Sequence, residues 1–155
     1  MRLSTFKKNK VYTKGSRAEA KGHKVISTKW IDTNKGDSKR PNYRSRLVGR
    51  EIKKDKRLDL FAATPPLETL KFLMARAAQE QKRSNPWRIG TIDVRRAYFY
   101  APSKRPLYVE IPMEDRLPGD EQMVGKLELS LYGTRDAAAN WAMEYTRHLV
   151  ELWFI

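Results

Sequence analysis

The sequence predicts an α+β fold, and three observations support this class. Two segments carry apolar residues at helical spacing, and several short segments of apolar and branched residues have the character of strands. These strands and helices do not follow one another in regular βαβ order, which argues against a parallel α/β sheet. Of the 155 residues, 40% are hydrophobic and 10% are aromatic, which is enough for the core of one domain.

The first elements along the chain are an arm and a hairpin. Residues Met1–Gly22 are rich in Lys, Ser and Thr, which predicts a basic, poorly ordered arm preceding a domain over residues 23–155. Two strands, Lys24–Asp32 and Tyr43–Glu51, flank a turn-rich stretch at residues 34–38, and this arrangement predicts a β-hairpin.

Alternation in the second strand of this hairpin predicts a basic face. Tyr43, Ser45 and Leu47 fall on one side of the strand, and the other side carries Arg44, Arg46, Val48 and Arg50. Arginines about 7 Å apart on one strand face can meet successive phosphates, or they can simply face solvent. The spacing favours the two interpretations equally.

A helix and a strand are predicted next. Apolar residues from Leu67 to Ala78 recur at helical spacing after Pro65-Pro66, and Asn85-Pro86 ends this helix. We expect its apolar stripe to lie in the core. The following segment, Trp87–Val94, has the composition of a buried strand and carries Asp93 at its end.

The last predicted elements are two short strands and a helix. The strands are Leu107–Ile111 and Val124–Leu131, with a turn at Pro118-Gly119 between them. The helix starts near Thr134, a candidate N-cap, and continues through Trp141, Tyr145, Leu149 and Leu152 on one face.

The positive charge of the chain is confined to its first third. The formal net charge is +14, from 32 Lys and Arg against 18 Asp and Glu. Up to Arg57 there are 19 basic and 5 acidic residues, whereas the remainder carries 13 of each. An excess concentrated in one segment is typical of a surface that meets a polyanion, most often a nucleic-acid backbone. An anionic membrane is the weaker alternative, because the basic segment contains no amphipathic helix.

Composition excludes several other classes of protein. The chain has no Cys, which excludes disulfide frameworks and Cys-based zinc sites, and only two His, so a metal would need oxygen ligands. It contains no apolar run long enough to span a bilayer and no signal-peptide pattern at its N-terminus. We therefore expect an intracellular protein, cytoplasmic or nuclear, that does not contact membranes.

The stretch TIDVRRAYFYA, residues 91–101, carries the most specific chemistry. A carboxylate at the end of an apolar strand, here Asp93, can be presented to a hard cation such as Mg²⁺. Arg95 and Arg96 follow at once and place positive charge and backbone N–H groups beside it, a combination that suits a metal-bound phosphate ester. Tyr98 and Phe99 could pack in the core or against the sugar of a nucleotide.

These residues belong to a longer series of motifs that resembles the reverse transcriptase of copia-type (pseudovirus) retrotransposons. The resemblance covers the fingers and the first part of the palm, in family order, from Lys24 onward. The matching pieces are KVISTKWI, NYRSRLVGRE, DLFAATPPLETLKFLMARAAQ, TIDVRRAYFYAP, PLYVEIP and LSLYGTRDAAANW. Six ordered fragments are strong support where one would be weak. The resemblance implies a partial right-hand polymerase fold, with a fingers β-hairpin and an incomplete palm sheet packed by helices.

The resemblance also implies a role for each matching residue. Asp93 would be the first metal-binding carboxylate, with the backbone carbonyl of Val94 as a second oxygen ligand. Tyr98 would be the aromatic gate under the deoxyribose. Substrate contacts would come from Arg44 or Arg46 on the fingers, Arg95, the backbone around Arg96 and Ala97, and Tyr132-Gly133. The implied partners are an RNA or DNA template-primer and deoxynucleoside triphosphates, and the implied cofactor is Mg²⁺ or Mn²⁺.

One departure from the family pattern affects catalysis. The family's other two catalytic aspartates come from a Tyr-x-Asp-Asp hairpin, and these 155 residues contain no Asp-Asp dipeptide. A single Asp does not hold two divalent ions, so we expect the chain to be inactive alone and to bind the metal weakly. A smaller departure is Asp136, where the family usually has Gln. The alternative function is a non-catalytic basic protein that binds nucleic acid.

Overall fold

The computed structural model describes residues 9–52, 60, 62, 65–81 and 84–152. The chain forms two compact units, one from Met1–Phe61 with Arg96–Ile155 and the other from Ala62–Arg95. The first unit contains strands β1 (Tyr12–Ser16), β2 (Val25–Ile26), β3 (Thr28–Asn34), β4 (Tyr43–Gly49), β5 (Tyr108–Val109) and β6 (Met123–Leu127). The helix of the second unit is α1 (Leu67–Glu80), and the C-terminal helix of the first unit is α2 (Ala137–Glu151). This mixture of helices and small sheets agrees with the predicted α+β class.

The larger sheet of the first unit has four strands in the order β1-β6-β5-β2. The β1–β6 and β5–β6 pairs are antiparallel, and the β2–β5 pair is parallel. Strand β5 lies within the predicted strand Leu107–Ile111, and β6 overlaps the predicted strand Val124–Leu131 but begins one residue earlier. Between them, Gly119 adopts φ +97°, which agrees with the predicted turn.

Strand β1 corrects the prediction of a poorly ordered arm. Tyr12–Ser16 pairs along its whole length with β6, and Val11 just before it is fully buried. A 3-10 helix over Arg17–Ala20 follows, and a capping box between Ser16 and Glu19 caps its N-terminus. Residues 11–22 are therefore part of the sheet unit, and residues 1–8 lie outside the described residues.

The edge strand β1 is also tied to the sheet by charge. The Lys14 ammonium lies 2.6 Å from a carboxylate oxygen of Asp120, and the N–H of Leu117 donates to the same oxygen at 2.9 Å. The Lys14 hydrogen bond, followed by that of Leu117, holds the pKa of Asp120 below its usual value. Strand β1 and the turn that precedes β6 are thus joined through one ionised carboxylate.

This carboxylate predicts acid sensitivity. Because the pKa of Asp120 is lower in the folded state, the unfolded chain takes up the proton first as the pH falls. The stabilisation is present above the ordinary value of 3.8 and is lost as the pH falls below it. We expect the midpoint of thermal unfolding to fall less steeply with acid in Asp120→Asn than in the wild type. Parallel slopes between pH 5 and pH 2.5 would contradict this contribution.

The β3–β4 hairpin confirms the predicted reversal and the predicted faces of its second strand, but the predicted first strand, Lys24–Asp32, is divided between β2 of the larger sheet and β3. Its register places Arg44 opposite Thr33, Arg46 opposite Ile31 and Val48 opposite Lys29, so both arginines share one face. On the other face Leu47 is fully buried. The loop is built by side-chain caps, because Asn34 accepts from two backbone N–H groups and Asp37 accepts from two more.

One hydrophobic cluster joins the hairpin to the four-stranded sheet. Its buried members are Val11, Ile26, Leu47, Phe99, Leu107, Val109, Leu127 and Leu131, with Trp30, Tyr12, Leu129 and Tyr132 packed against them. Phe99 belongs to the motif TIDVRRAYFYAP and Leu131 to the motif LSLYGTRDAAANW, so this cluster positions both motifs.

Helix α2 starts later than the sequence predicts. Asp136 holds the N-cap position without a capping bond, because its carboxylate receives hydrogen bonds from Arg105 instead. Thr134, the predicted N-cap, donates its hydroxyl to the carbonyl of Leu131 at 2.8 Å. In the described part of the chain, neither helix combines the length and hydropathy that a bilayer crossing requires.

The second unit differs from its prediction in two respects. Helix α1 forms, but its apolar side chains are largely exposed, with Leu70 at 46% and Leu73 at 48%. The segment Trp87–Val94 is not a strand, and Ile92 is 86% exposed. A buried strand needs neighbours for its backbone hydrogen bonds, and no described strand pairs with this segment. Helix α1 ends at Glu80, before the predicted stop at Asn85-Pro86, and residues 82–83 lie outside the described residues.

Candidate functional site

Two tyrosines from separate motifs contact one another in the first unit. The rings of Tyr98 and Tyr132 have centroids 4.6 Å apart and are tilted by 41°. The ring of Phe99 approaches Tyr132 edge-on, with a centroid distance of 5.8 Å. Phe99 is buried, whereas both tyrosines are only partly buried. Tyr132 therefore lies between a core aromatic residue and a ring that reaches the surface.

Local backbone geometry presents Tyr98. The ring is carried by a one-turn 3-10 helix, Ala97–Tyr100, which Arg96 opens in the left-handed conformation at φ 58°. This conformation costs about 1 kcal/mol in a residue other than glycine. The carbonyl of Arg96 accepts from the N–H of Phe99 at 2.8 Å. Such strained residues concentrate at functional sites, where surrounding contacts hold them.

The turn at Tyr132-Gly133 lies directly against the end of strand β4. The N–H of Gly49 donates to the carbonyl of Tyr132 at 2.7 Å, and the N–H of Glu51 donates to the carbonyl of Gly133 at 3.4 Å. Gly133 has φ +83°, and a Cβ atom there would lie 2.1 Å from the carbonyl oxygen of Gly49. Only glycine fits this approach of two backbones.

The charges of two arginines act on the phenol of Tyr132. Burial and the neighbouring Tyr98 raise the pKa of Tyr132, while the charges of Arg46 and Arg96 act in the opposite direction. The phenol is therefore neutral at pH 7, and the local charge comes from the arginines. Among the described residues, neither Arg46 nor Arg96 has a carboxylate partner. The two guanidinium groups are available to an external anion.

A partly buried ionic network connects the same elements. Arg105 donates two hydrogen bonds to Asp136, at 3.0 and 3.1 Å, and one to Glu51 at 2.7 Å. Glu51 also accepts from the backbone N–H of Arg135 at 2.8 Å. Asn140 donates to Asp136 at 3.3 Å. The network links the residues after β4 to the start of α2, on either side of the Tyr132-Gly133 turn.

Comparison with known protein families identifies the chain. A family model for reverse transcriptase (RNA-dependent DNA polymerase) matches residues 9–155. The chain belongs to this reverse transcriptase family. It is also 28% identical over 130 residues, 81% of its length, to a Retrovirus-related Pol polyprotein from transposon TNT 1-94 of Nicotiana tabacum. The chain spans 9% of that relative. These matches confirm the copia-type resemblance, and no solved structure matches the chain.

The structure brings together four of the residues to which the family resemblance assigns a role. They are Arg46, Arg96, Tyr98 and Tyr132. Ala97 begins the short helix, Gly133 completes the turn, and Arg44 lies two residues before Arg46 on the same exposed face. Asp93, Val94 and Arg95 belong to the second unit, where all three are exposed.

The reverse transcriptase family uses divalent metal, which requires converging oxygen ligands. The implied ligands of this chain are one carboxylate, that of Asp93, and the carbonyl of Val94. Among the described residues, no group of three or more acidic or His side chains could hold a metal ion. Two Mg²⁺ ions need several converging carboxylates. This donor set does not fit a resident metal pair.

Sequence reasoning missed the residues that support the site. Gly49, Glu51 and Arg105 were not among the predicted site residues, and Asp136 was noted only as a departure from the family pattern. The available signal was an acidic residue shortly after a motif, Glu51 after the second hairpin strand and Asp136 after Tyr132-Gly133. Neither position identifies its partner, because Arg105 is 54 residues from one and 31 from the other.

Proposed function

We propose that this chain supplies the fingers and the first part of the palm of an RNA-directed DNA polymerase. In this role it binds a deoxynucleoside triphosphate and the template-primer, in an enzyme that joins nucleotides by two-metal nucleotidyl transfer. The observation that carries the proposal is the contact between Tyr98 and Tyr132, with Arg46 and Arg96 around it. The combination offers an aromatic surface for a nucleoside and positive charge for its phosphates.

The arrangement assigns separate tasks to these residues. The ring of Tyr98 lies under the sugar, where a 2′-hydroxyl would clash. Arg46 and Arg96 offset the triphosphate charge, and the N–H groups near Ala97 donate to its oxygens. Arg44, two residues before Arg46 on β4, contacts the template backbone. The sequence left Arg44 and Arg46 as alternatives for the triphosphate contact. Arg46 is favoured because its positive charge acts to lower the pKa of Tyr132, which burial raises.

Catalysis needs more carboxylates than this chain offers. The reaction is an in-line attack of the primer 3′-hydroxyl on the nucleotide, with pyrophosphate leaving, and metal ions stabilise both oxygens. The implied ligands of the 155 residues are Asp93 and Val94, and there is no Asp-Asp pair. We therefore propose that the chain binds substrate but does not extend a primer by itself.

This function is tested by measuring nucleotide binding in two variants, each of which replaces one arginine of the hairpin. In Mg²⁺ buffer, Arg46→Gln should weaken deoxynucleoside triphosphate binding about tenfold, since a hydrogen bond between charged groups is lost. Arg40→Gln removes the same charge from the hairpin loop and should weaken binding less than threefold. Calorimetric titration measures both. Primer extension by the 155-residue chain, or equal losses in the two variants, would contradict the proposal.

The same variants distinguish the proposed function from the alternative, which is a basic protein that binds nucleic acid without catalysis. That function is favoured by the hairpin charge, since residues 24–50 carry eight basic and two acidic side chains. Under it, both arginine variants weaken oligonucleotide binding equally, the affinity falls steeply with salt, and Asp93→Asn changes nothing.

A further inference from the structure

Tyr132 contacts two elements of the first unit, the short helix Ala97–Tyr100 and the end of strand β4. Its ring packs against Tyr98, with centroids 4.6 Å apart, and receives the edge of Phe99 from the core. Its carbonyl accepts the N–H of Gly49, the last residue of strand β4. The residue is thus a junction between the hairpin that carries Arg46 and the short helix that carries Tyr98.

The backbone around Tyr98 does not fix the ring by itself. Its helix is one turn long, has no side-chain cap, and opens with a residue in the left-handed conformation. A helix this short has too few hydrogen bonds to be stable alone. The position of the Tyr98 ring therefore depends on the surfaces that it packs against, and Tyr132 supplies an aromatic one.

We propose that Tyr132 is a positioning residue for sugar discrimination. Its ring fixes the plane of Tyr98, and its carbonyl sets the position of the Arg46 strand relative to that ring. The distance between the triphosphate contact and the sugar contact is then held by one residue. This inference rests on the proposed function, because it assigns Tyr132 to the same nucleotide site.

The partial exposure of Tyr132 supports this role over a purely structural one. A ring that served only the core would be enclosed, as Phe99 is at 6% exposure, whereas Tyr132 is partly exposed. Because its phenol is neutral at pH 7, it also adds no negative charge beside the phosphates. Tyr132 can therefore border the bound nucleotide while supporting Tyr98.

The test compares the affinities of dATP and ATP for the full 155-residue chain in Mg²⁺ buffer. We expect the wild type to prefer dATP by about tenfold, a difference of about 1.4 kcal/mol. Tyr132→Phe keeps the ring and should keep this ratio. Tyr132→Leu keeps apolar volume without the ring, and its ratio should fall below about threefold, because Tyr98 is no longer held in one orientation.

Two further variants keep the test decisive. Val124→Ala lies in the separate buried cluster of Ala20 and Tyr108, and it should lower the unfolding midpoint without changing the dATP to ATP ratio. If Tyr132→Leu shows no cooperative unfolding, Tyr132→Met replaces it, and the same loss of ratio is expected. An unchanged ratio in the variant that folds would overturn the inference. A wild type that binds neither nucleotide, or both equally, would instead overturn the proposed function and the inference with it.

Discussion

Replacing Arg105 by methionine is expected to lower the free energy of unfolding by about 3–5 kcal/mol, because two nearly buried carboxylates lose their counter-charge. The side chain of Asp136 is 3% exposed and that of Glu51 is 10% exposed, and both bond to Arg105. Burial opposes the charge of Arg105, but its bonds to Glu51 and Asp136 raise its pKa above the ordinary value. Methionine retains apolar volume, so the loss is mainly electrostatic.

Urea denaturation at pH 7 measures this effect, and the surface of α2 provides a control. Arg147 also contacts two carboxylates, those of Glu144 at 2.7 Å and Glu151 at 2.5 Å, but its side chain is 51% exposed. Water screens such pairs and hydrates the carboxylates left behind. Arg147→Met should therefore leave the unfolding midpoint almost unchanged. Similar losses in the two variants would show that the Arg105 network is no stronger than a surface pair.

The network also connects stability to the site. It joins Glu51, two residues after β4, to Asp136, three residues after Gly133. The Arg46 hairpin and the Tyr132 turn are therefore held together by charge on one side and by the Gly49–Tyr132 hydrogen bond on the other. A partial loss of the network should reduce nucleotide affinity before the chain unfolds.

The β3–β4 hairpin shows what the sequence could predict. Alternating residues decide which face of a strand is buried, and a turn-rich stretch decides where the chain reverses, so both are local properties. Strand β1 was missed because Tyr12–Ser16 has no apolar alternation, and its partner β6 is more than 100 residues away. Pairing with a distant strand, rather than local pattern, makes it part of the sheet.

The second unit shows the opposite limit. Periodicity correctly predicted helix α1, and it correctly grouped the apolar residues on one face. It did not decide whether anything covers that face, since burial depends on neighbouring elements and not on spacing. The same holds for Trp87–Val94, whose apolar residues resemble a buried strand but which pairs with no described strand.

At the site, motifs predicted residues but not their contacts. Tyr98 and Tyr132 were each implied by a family motif, yet nothing in either motif states that their rings touch. The reason for glycine at position 133 is likewise visible only in three dimensions, in the approach of the Gly49 carbonyl. That approach supports the second large prediction.

Gly133→Ala is expected to destabilise the protein by about 3–4 kcal/mol. Alanine at φ +83° costs about 1 kcal/mol. The added Cβ, 2.1 Å from the carbonyl oxygen of Gly49, must also push two backbones apart. This separation weakens the hydrogen bonds from Gly49 and Glu51 across the turn, each contributing about 1 kcal/mol. Urea denaturation measures the loss, and nucleotide binding should weaken because the Arg46 strand moves away from Tyr132.

Alanine variants of two other glycines distinguish the conformational cost from the cost of the backbone contact. Gly22 has nearly the same conformation, φ +84°, but has nothing within 4 Å of an added Cβ, so Gly22→Ala should show only the conformational cost of about 1 kcal/mol. Gly49 lies on the other side of the contact, where an added Cβ meets the Thr134 Cγ2 atom at 3.4 Å, an ordinary contact. Gly49→Ala should therefore be tolerated far better than Gly133→Ala. If Gly133→Ala loses no more than Gly22→Ala, the backbone contact between the hairpin and the turn does not hold the site together.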